Sequence, residues 1–108
     1  MATLTAKGAA RTANKITQAA ADVAGDDFVT TGAEAVLIEN GSASPITVTV
    51  VTPATVDGLA VADREIIIPA GEMHLCGPWP RGVYGDANHK VSLTYSDVTS
   101  LTVAVLRI

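Results

Sequence analysis

From residue 46 to residue 50 apolar side chains alternate with threonines, Ile46, Val48 and Val50 against Thr47 and Thr49. Val91-Ser92-Leu93-Thr94-Tyr95 and Leu101-Thr102-Val103-Ala104-Val105 repeat the rhythm. Successive side chains on a strand point to opposite faces, so period two with β-branched residues is a strand signal. Further strands are predicted over 33–39, 46–51, 65–69 and 73–76, and a closing hairpin over 89–96 and 101–108. Between them lie turn-forming residues: Asn40-Gly41-Ser42-Ala43-Ser44-Pro45, Asp57-Gly58 within a longer 56–63 connection, Ala70-Gly71-Glu72 and Gly77-Pro78-Trp79-Pro80. Pro53 and Pro69 close their strands because proline cannot donate to a ladder.

Six or so strands at roughly ten-residue spacing predict an all-β fold, an antiparallel β-sandwich of jelly-roll type, rather than βαβ units. Its inner faces are assigned by phase to Val36, Ile38, Ile46, Val48, Val50, Ile66, Ile68, Val91, Leu93, Tyr95, Leu101, Val103 and Val105. Ile67 and Leu106 are apolar on the opposite phase. Their strands are therefore expected to be covered on both sides, by a loop, the N-terminal segment or another subunit.

The first 21 residues break the pattern. They are rich in Ala and Thr, with Leu4 and Ile16 as the large apolar residues after Met1, and they carry Lys7, Arg11 and Lys15 with no acidic residue. Residues 1–21 are read as an extended N-terminal arm and 22–108 as the β-sandwich domain. On a helix the three basic residues, four apart, would form one stripe. With so little to bury, the arm is expected to order only against a partner.

The chain has 108 residues and is 48% hydrophobic, which argues for one domain with a modest core and against wholesale disorder. One Trp, one Phe and two Tyr leave Val, Ile, Leu and Ala to build that core. No apolar run reaches the roughly twenty residues of a membrane span, and residues 1–21 lack the apolar region of a signal peptide. The lone Cys76 cannot form an internal disulfide, which fits a reducing cytoplasm. The net charge is −4. Beyond residue 21, four basic face eleven acidic side chains, a net −7 that should repel nucleic acid.

Candidate chemistry is sparse. His74 and Cys76 share a strand face and His89 could join them as a metal ligand, but the spacing matches no zinc motif. Asp22, Asp26 and Asp27 lack the rest of a calcium loop. Asp86, His89, Ser96 and Asp97 show neither a Gly-x-Ser-x-Gly elbow nor a paired-carboxylate context. No cofactor is expected. Asn40-Gly41-Ser42 satisfies a glycosylation sequon yet reads better as a turn. Trp79 and Tyr84, flanked by Pro and Gly, are candidates for either a core plug or an interface anchor.

Several segments in order carry a resemblance. They are Asp22-Val23-Ala24-Gly25-Asp26-Asp27-Phe28, Thr31-Gly32, Glu39-Asn40, Ile46-Thr47-Val48-Thr49-Val50, Thr55-Val56-Asp57-Gly58-Leu59-Ala60-Val61-Ala62-Asp63, Ile68-Pro69-Ala70-Gly71, Gly77-Pro78-Trp79-Pro80, Tyr84 and Val91-Ser92-Leu93-Thr94-Tyr95-Ser96. Together they resemble the small head or virion structural proteins of tailed bacteriophages, some of which are capsid decoration (cement) proteins. The resemblance spans about residues 17–108. It implies a non-enzymatic β-sandwich on the capsid surface of the virion, made in the host cytoplasm. The implied partner is the major capsid protein, with self-association as a trimer as a further expectation and no nucleic-acid or membrane partner. The candidate contact residues come from charge and aromatic content rather than from the resemblance, which does not extend to residues 1–16: Lys7, Arg11, Lys15, Trp79 and Tyr84. The other readings left open are a head–tail connector or tail subunit and a carbohydrate- or cell-surface-binding sandwich.

Overall fold

The computed structural model describes residues 2–107. Twelve strands and one helical turn occur among them. In chain order the strands are β1 (Ala2–Leu4), β2 (Lys7–Gly8), β3 (Ala19–Ala20), β4 (Asp26–Val29), β5 (Glu34–Asn40) and β6 (Ile46–Val50). They continue with β7 (Thr55–Val56), β8 (Leu59–Ala60), β9 (Arg64–Ile68) and β10 (Met73–Cys76), then the turn α1 (Arg81–Tyr84), then β11 (Lys90–Tyr95) and β12 (Leu101–Arg107).

One sheet has the order β1-β4-β11-β6-β9, the other β10-β5-β12-β2 with β3 also on β12, and β7-β8 is a separate hairpin. Pairing is antiparallel except at two places: β1 runs parallel to β4, and β2 parallel to β12. β5 and β6 bury every second residue, as period two demands. The buried sides of both sheets meet in one apolar cluster, with Phe28, Val48, Val50, Val91 and Leu93 from one sheet and Val36, Ile38, Leu101, Val103 and Val105 from the other. The molecule measures 40 × 36 × 20 Å, the thin dimension fitting two layers about 10 Å apart plus their outer side chains.

Eleven of the thirteen residues assigned inward by phase are buried, and Ile66 and Tyr95 pack against the cluster while half-buried. The 56–63 connection is a short hairpin, with Asp57 and Gly58 at φ 54° and 76°, the pair of positive values that a type I′ turn needs. Position 77 accepts only glycine: at φ 146°, a Cβ there would lie 2.9 Å from the Glu34 carbonyl oxygen.

The described part of the arm, residues 2–21, departs from the sequence expectation. It contributes β1 to one sheet and β2 and β3 to the other, so it is tied to the body before and after the 10–18 stretch. The difference has a simple cause. Edge strands offer unpaired N–H and C=O groups, and a segment without large apolar residues can still bond to those. The arm also covers Leu106, which lies with Ala35 and Leu75 beneath residues 7–16. Ile67, by contrast, is 63% exposed and no part of the described chain covers it.

Candidate functional site

The basic residues of the arm lie on an extended segment and a turn rather than a helix. Lys7 sits in β2 opposite Leu106. The Ala9 N–H donates to the Arg107 carbonyl at 2.7 Å, after which the chain turns, with the Ala13 N–H on the Ala10 carbonyl (3.0 Å) and Ala13 at φ 68°. Asn14 Nδ2 reaches back to the Gly8 carbonyl at 2.8 Å and ties the bend together. Lys7, Arg11 and Lys15 are all exposed. They do not form the stripe that a helix would give them, and stand instead as three cations along a bent strap.

Between this strap and the outer face of the β5-β12-β10 sheet is a half-open cavity of about 280 Å³, lined by Lys7, Gly8, Ile16, Ala35, Leu75 and Leu106 among others. Its lining is almost wholly apolar, with the Lys7 side chain as its cation.

Trp79 is 4% exposed and belongs to the core cluster, so it plugs the end of the core. Tyr84 meets it edge to face, with ring centroids 5.0 Å apart at 84°. The surrounding loops are bonded closely. The Thr30 hydroxyl donates to the Trp79 carbonyl at 2.7 Å, Arg81 Nε donates to the Thr30 carbonyl at 2.5 Å, and Arg64 Nε donates to the Tyr84 hydroxyl at 3.0 Å. Of the two residues, Tyr84 has the side chain that borders solvent. It lines a groove of about 450 Å³ between the outer strands β9 and β10, with Arg64, His74 and Cys76. Burial pushes the Cys76 thiol above its ordinary range, so at neutral pH it is a poor nucleophile.

A third surface was read from sequence only as a connection. Val56 and Leu59 are cross-strand partners in the β7-β8 hairpin and so share one of its faces, and they are 67% and 71% exposed. The base of the hairpin is latched where the Thr52 N–H donates to Asp63 Oδ1 at 2.8 Å. The signal lay in the sequence: an Asp-Gly turn flanked by two apolar residues in a hairpin too short to have a core of its own.

Several other polar side chains have local partners, whereas Asp27 Oδ1 and Trp79 Nε1 are buried without one. Tyr95 donates to Asp26 Oδ2 at 2.6 Å inside the core margin, and burial together with that carboxylate raises the phenol far above its ordinary range. His74 pairs with Glu72 at 2.9 Å. Among the described residues no group of three His, Cys, Asp or Glu side chains is placed to hold a metal ion. Asn40 is fully buried: its Nδ2 donates to the carbonyls of Ser44 (2.8 Å) and Ile68 (2.9 Å), and its Oδ1 accepts from the Ser42 N–H and hydroxyl. The sequon asparagine therefore has no free amide nitrogen in the folded chain. Comparison with family models, with curated proteins and with solved structures gave no match.

Proposed function

We propose that this chain is a non-enzymatic structural protein of a tailed-phage virion, a decoration protein that docks on the assembled head and bridges neighbouring capsid subunits. The observation that carries the reading is the segregation of charge along the chain. Lys7, Arg11 and Lys15 stand exposed on one strap, while the rest of the chain holds a net −7. Such a strap is suited to an acidic strip on a large surface, where many weak contacts sum. The strand order supports a jelly-roll-type sandwich. With β4-β11-β6-β9 in one layer and β10-β5-β12-β3 in the other, the chain passes repeatedly from layer to layer. The resemblance of residues 17–108 to phage head proteins points the same way, and the major capsid protein is the partner it suggests.

The test is co-sedimentation with empty phage heads that lack their decoration protein. The parent should bind, and heads carrying it should break at a higher temperature than bare heads. Replacing Lys7, Arg11 and Lys15 together by Glu should weaken attachment about tenfold or more at low salt, with the difference shrinking as salt screens the contact. Parent protein that binds no head, or that binds without changing head stability, would remove this reading.

A further inference from the structure

The apolar cavity under the strap and the apolar face of the hairpin lie on different parts of the molecule, and the hairpin does not line that cavity. We propose that they are two halves of one contact, in which the Val56–Leu59 face of one copy enters the cavity under residues 7–16 of the next. The size fits. A volume of about 280 Å³ equals roughly nine water volumes at about 30 Å³ each, enough for the seven side-chain carbons of Val56 and Leu59.

The character fits as well. Two side chains some two-thirds exposed in the free chain meet a lining of Ile16, Ala35, Leu75 and Leu106. Charge complementarity selects a second copy as the occupant. The stretch 53–63 carries Asp57 at the hairpin tip and Asp63 at its base with no basic residue, while residues 2–21 carry only cations, one of which, Lys7, lines the cavity. A hairpin entering with its Asp57 tip near Lys7 pairs both surfaces at once. At the rim of the contact such a pair keeps part of its hydration while its attraction acts at less than full aqueous screening.

Because the two surfaces differ, the contact is heterologous. Each copy offers one hairpin and one cavity, so the assembly closes into a ring or continues as a chain. This goes beyond the decoration reading, and shell attachment can succeed or fail independently of it.

The test is light scattering coupled to size exclusion on the isolated protein, without heads, over a concentration series to about 1 mM. The parent should shift from monomer to oligomer. Leu59→Asp, which spoils the hairpin, and Leu75→Asp, which puts a like charge where Asp57 would arrive, should each be monomeric. Both positions are exposed, and unchanged circular dichroism will establish that both variants fold. The decisive arm is their mixture. Leu59→Asp retains a sound cavity and Leu75→Asp a sound hairpin, so together they should give a one-to-one heterodimer and nothing larger. Asp57→Lys should weaken parent association about tenfold or more, and Lys7→Glu in the mixed partner should restore it. A parent that remains monomeric throughout, a folded Leu75→Asp variant that associates like the parent, or a mixture without heterodimer would each overturn the proposal. Because no head is present, those outcomes leave the decoration reading to its own experiment.

Discussion

Burial would push the Glu34 carboxyl upward, but the N–H groups of Thr31 and Ala33 and the Thr31 hydroxyl outweigh it and hold the group below the ordinary carboxylate range. Arg107 adds a guanidinium 3.7 Å away. A folded value below the unfolded one means stability that is present above the unfolded carboxylate range and lost as pH falls through the folded one. Glu34→Gln keeps the shape and removes the charge, so it should cost about 1.5–3 kcal/mol near neutral pH. The gap should narrow in acid as the parent carboxyl takes up its proton. Urea unfolding of both proteins at about pH 7 and about pH 3 reads this directly. An equal gap at both would exclude the ionised carboxylate as the cause. Asn40 offers a second residue-scale check, since Asn40→Asp turns an oxygen toward the Ser44 and Ile68 carbonyls that the amide now satisfies. A loss of about 3 kcal/mol is expected from that buried mismatch, read as a lower urea midpoint with an unchanged slope.

At the level of elements, β5, β6, β9, β10, β11 and β12 were legible in the sequence, whereas β1 to β4 were not, although β4 buries Asp26 and Phe28 in alternation. β5, β6, β11 and β12 have one face in the core, and that asymmetry is written into their residues as period two. β1, β2 and β3 bury almost nothing and are held by backbone bonds to edges far away in sequence, which leave no pattern in side chains. The α1 turn likewise buries no residue and is not among the elements the sequence predicts. Trp79 and Tyr84 stood out by their rarity, but the full burial of the one and the half-burial of the other depend on Thr30, Arg64 and Arg81, which local sequence does not bring together. Removing residues 1–8 should therefore cost more than their composition suggests. Two parallel pairings vanish and β4 acquires an open edge, so a melting point lower by about 5 °C and some edge-to-edge association are expected. Scanning calorimetry with size exclusion will reveal both, and an unchanged melt would mean that β1 and β2 contribute no stability.

The whole molecule can be followed through its one tryptophan. Trp79 is buried among residues of both sheets, so its emission should be blue in the native protein, shift red on unfolding, and do so in step with far-ultraviolet circular dichroism. Separate transitions would mean that the Trp79 end opens before the rest. A wider consequence comes from β12. This strand lies between β5 and the edge strands β2 and β3, and its register sets Leu106 opposite Lys7 and Val105 opposite Val36. Lys7 and Gly8 therefore find their strand neighbours only once Leu106 and Arg107 are in place, a closure of high sequence separation and correspondingly slow formation. On the ribosome, one layer lacks its middle strand until Leu101–Arg107 has emerged. Chains stalled before residue 101 should stay open to proteases, and a few further residues of synthesis should convert them into the resistant form.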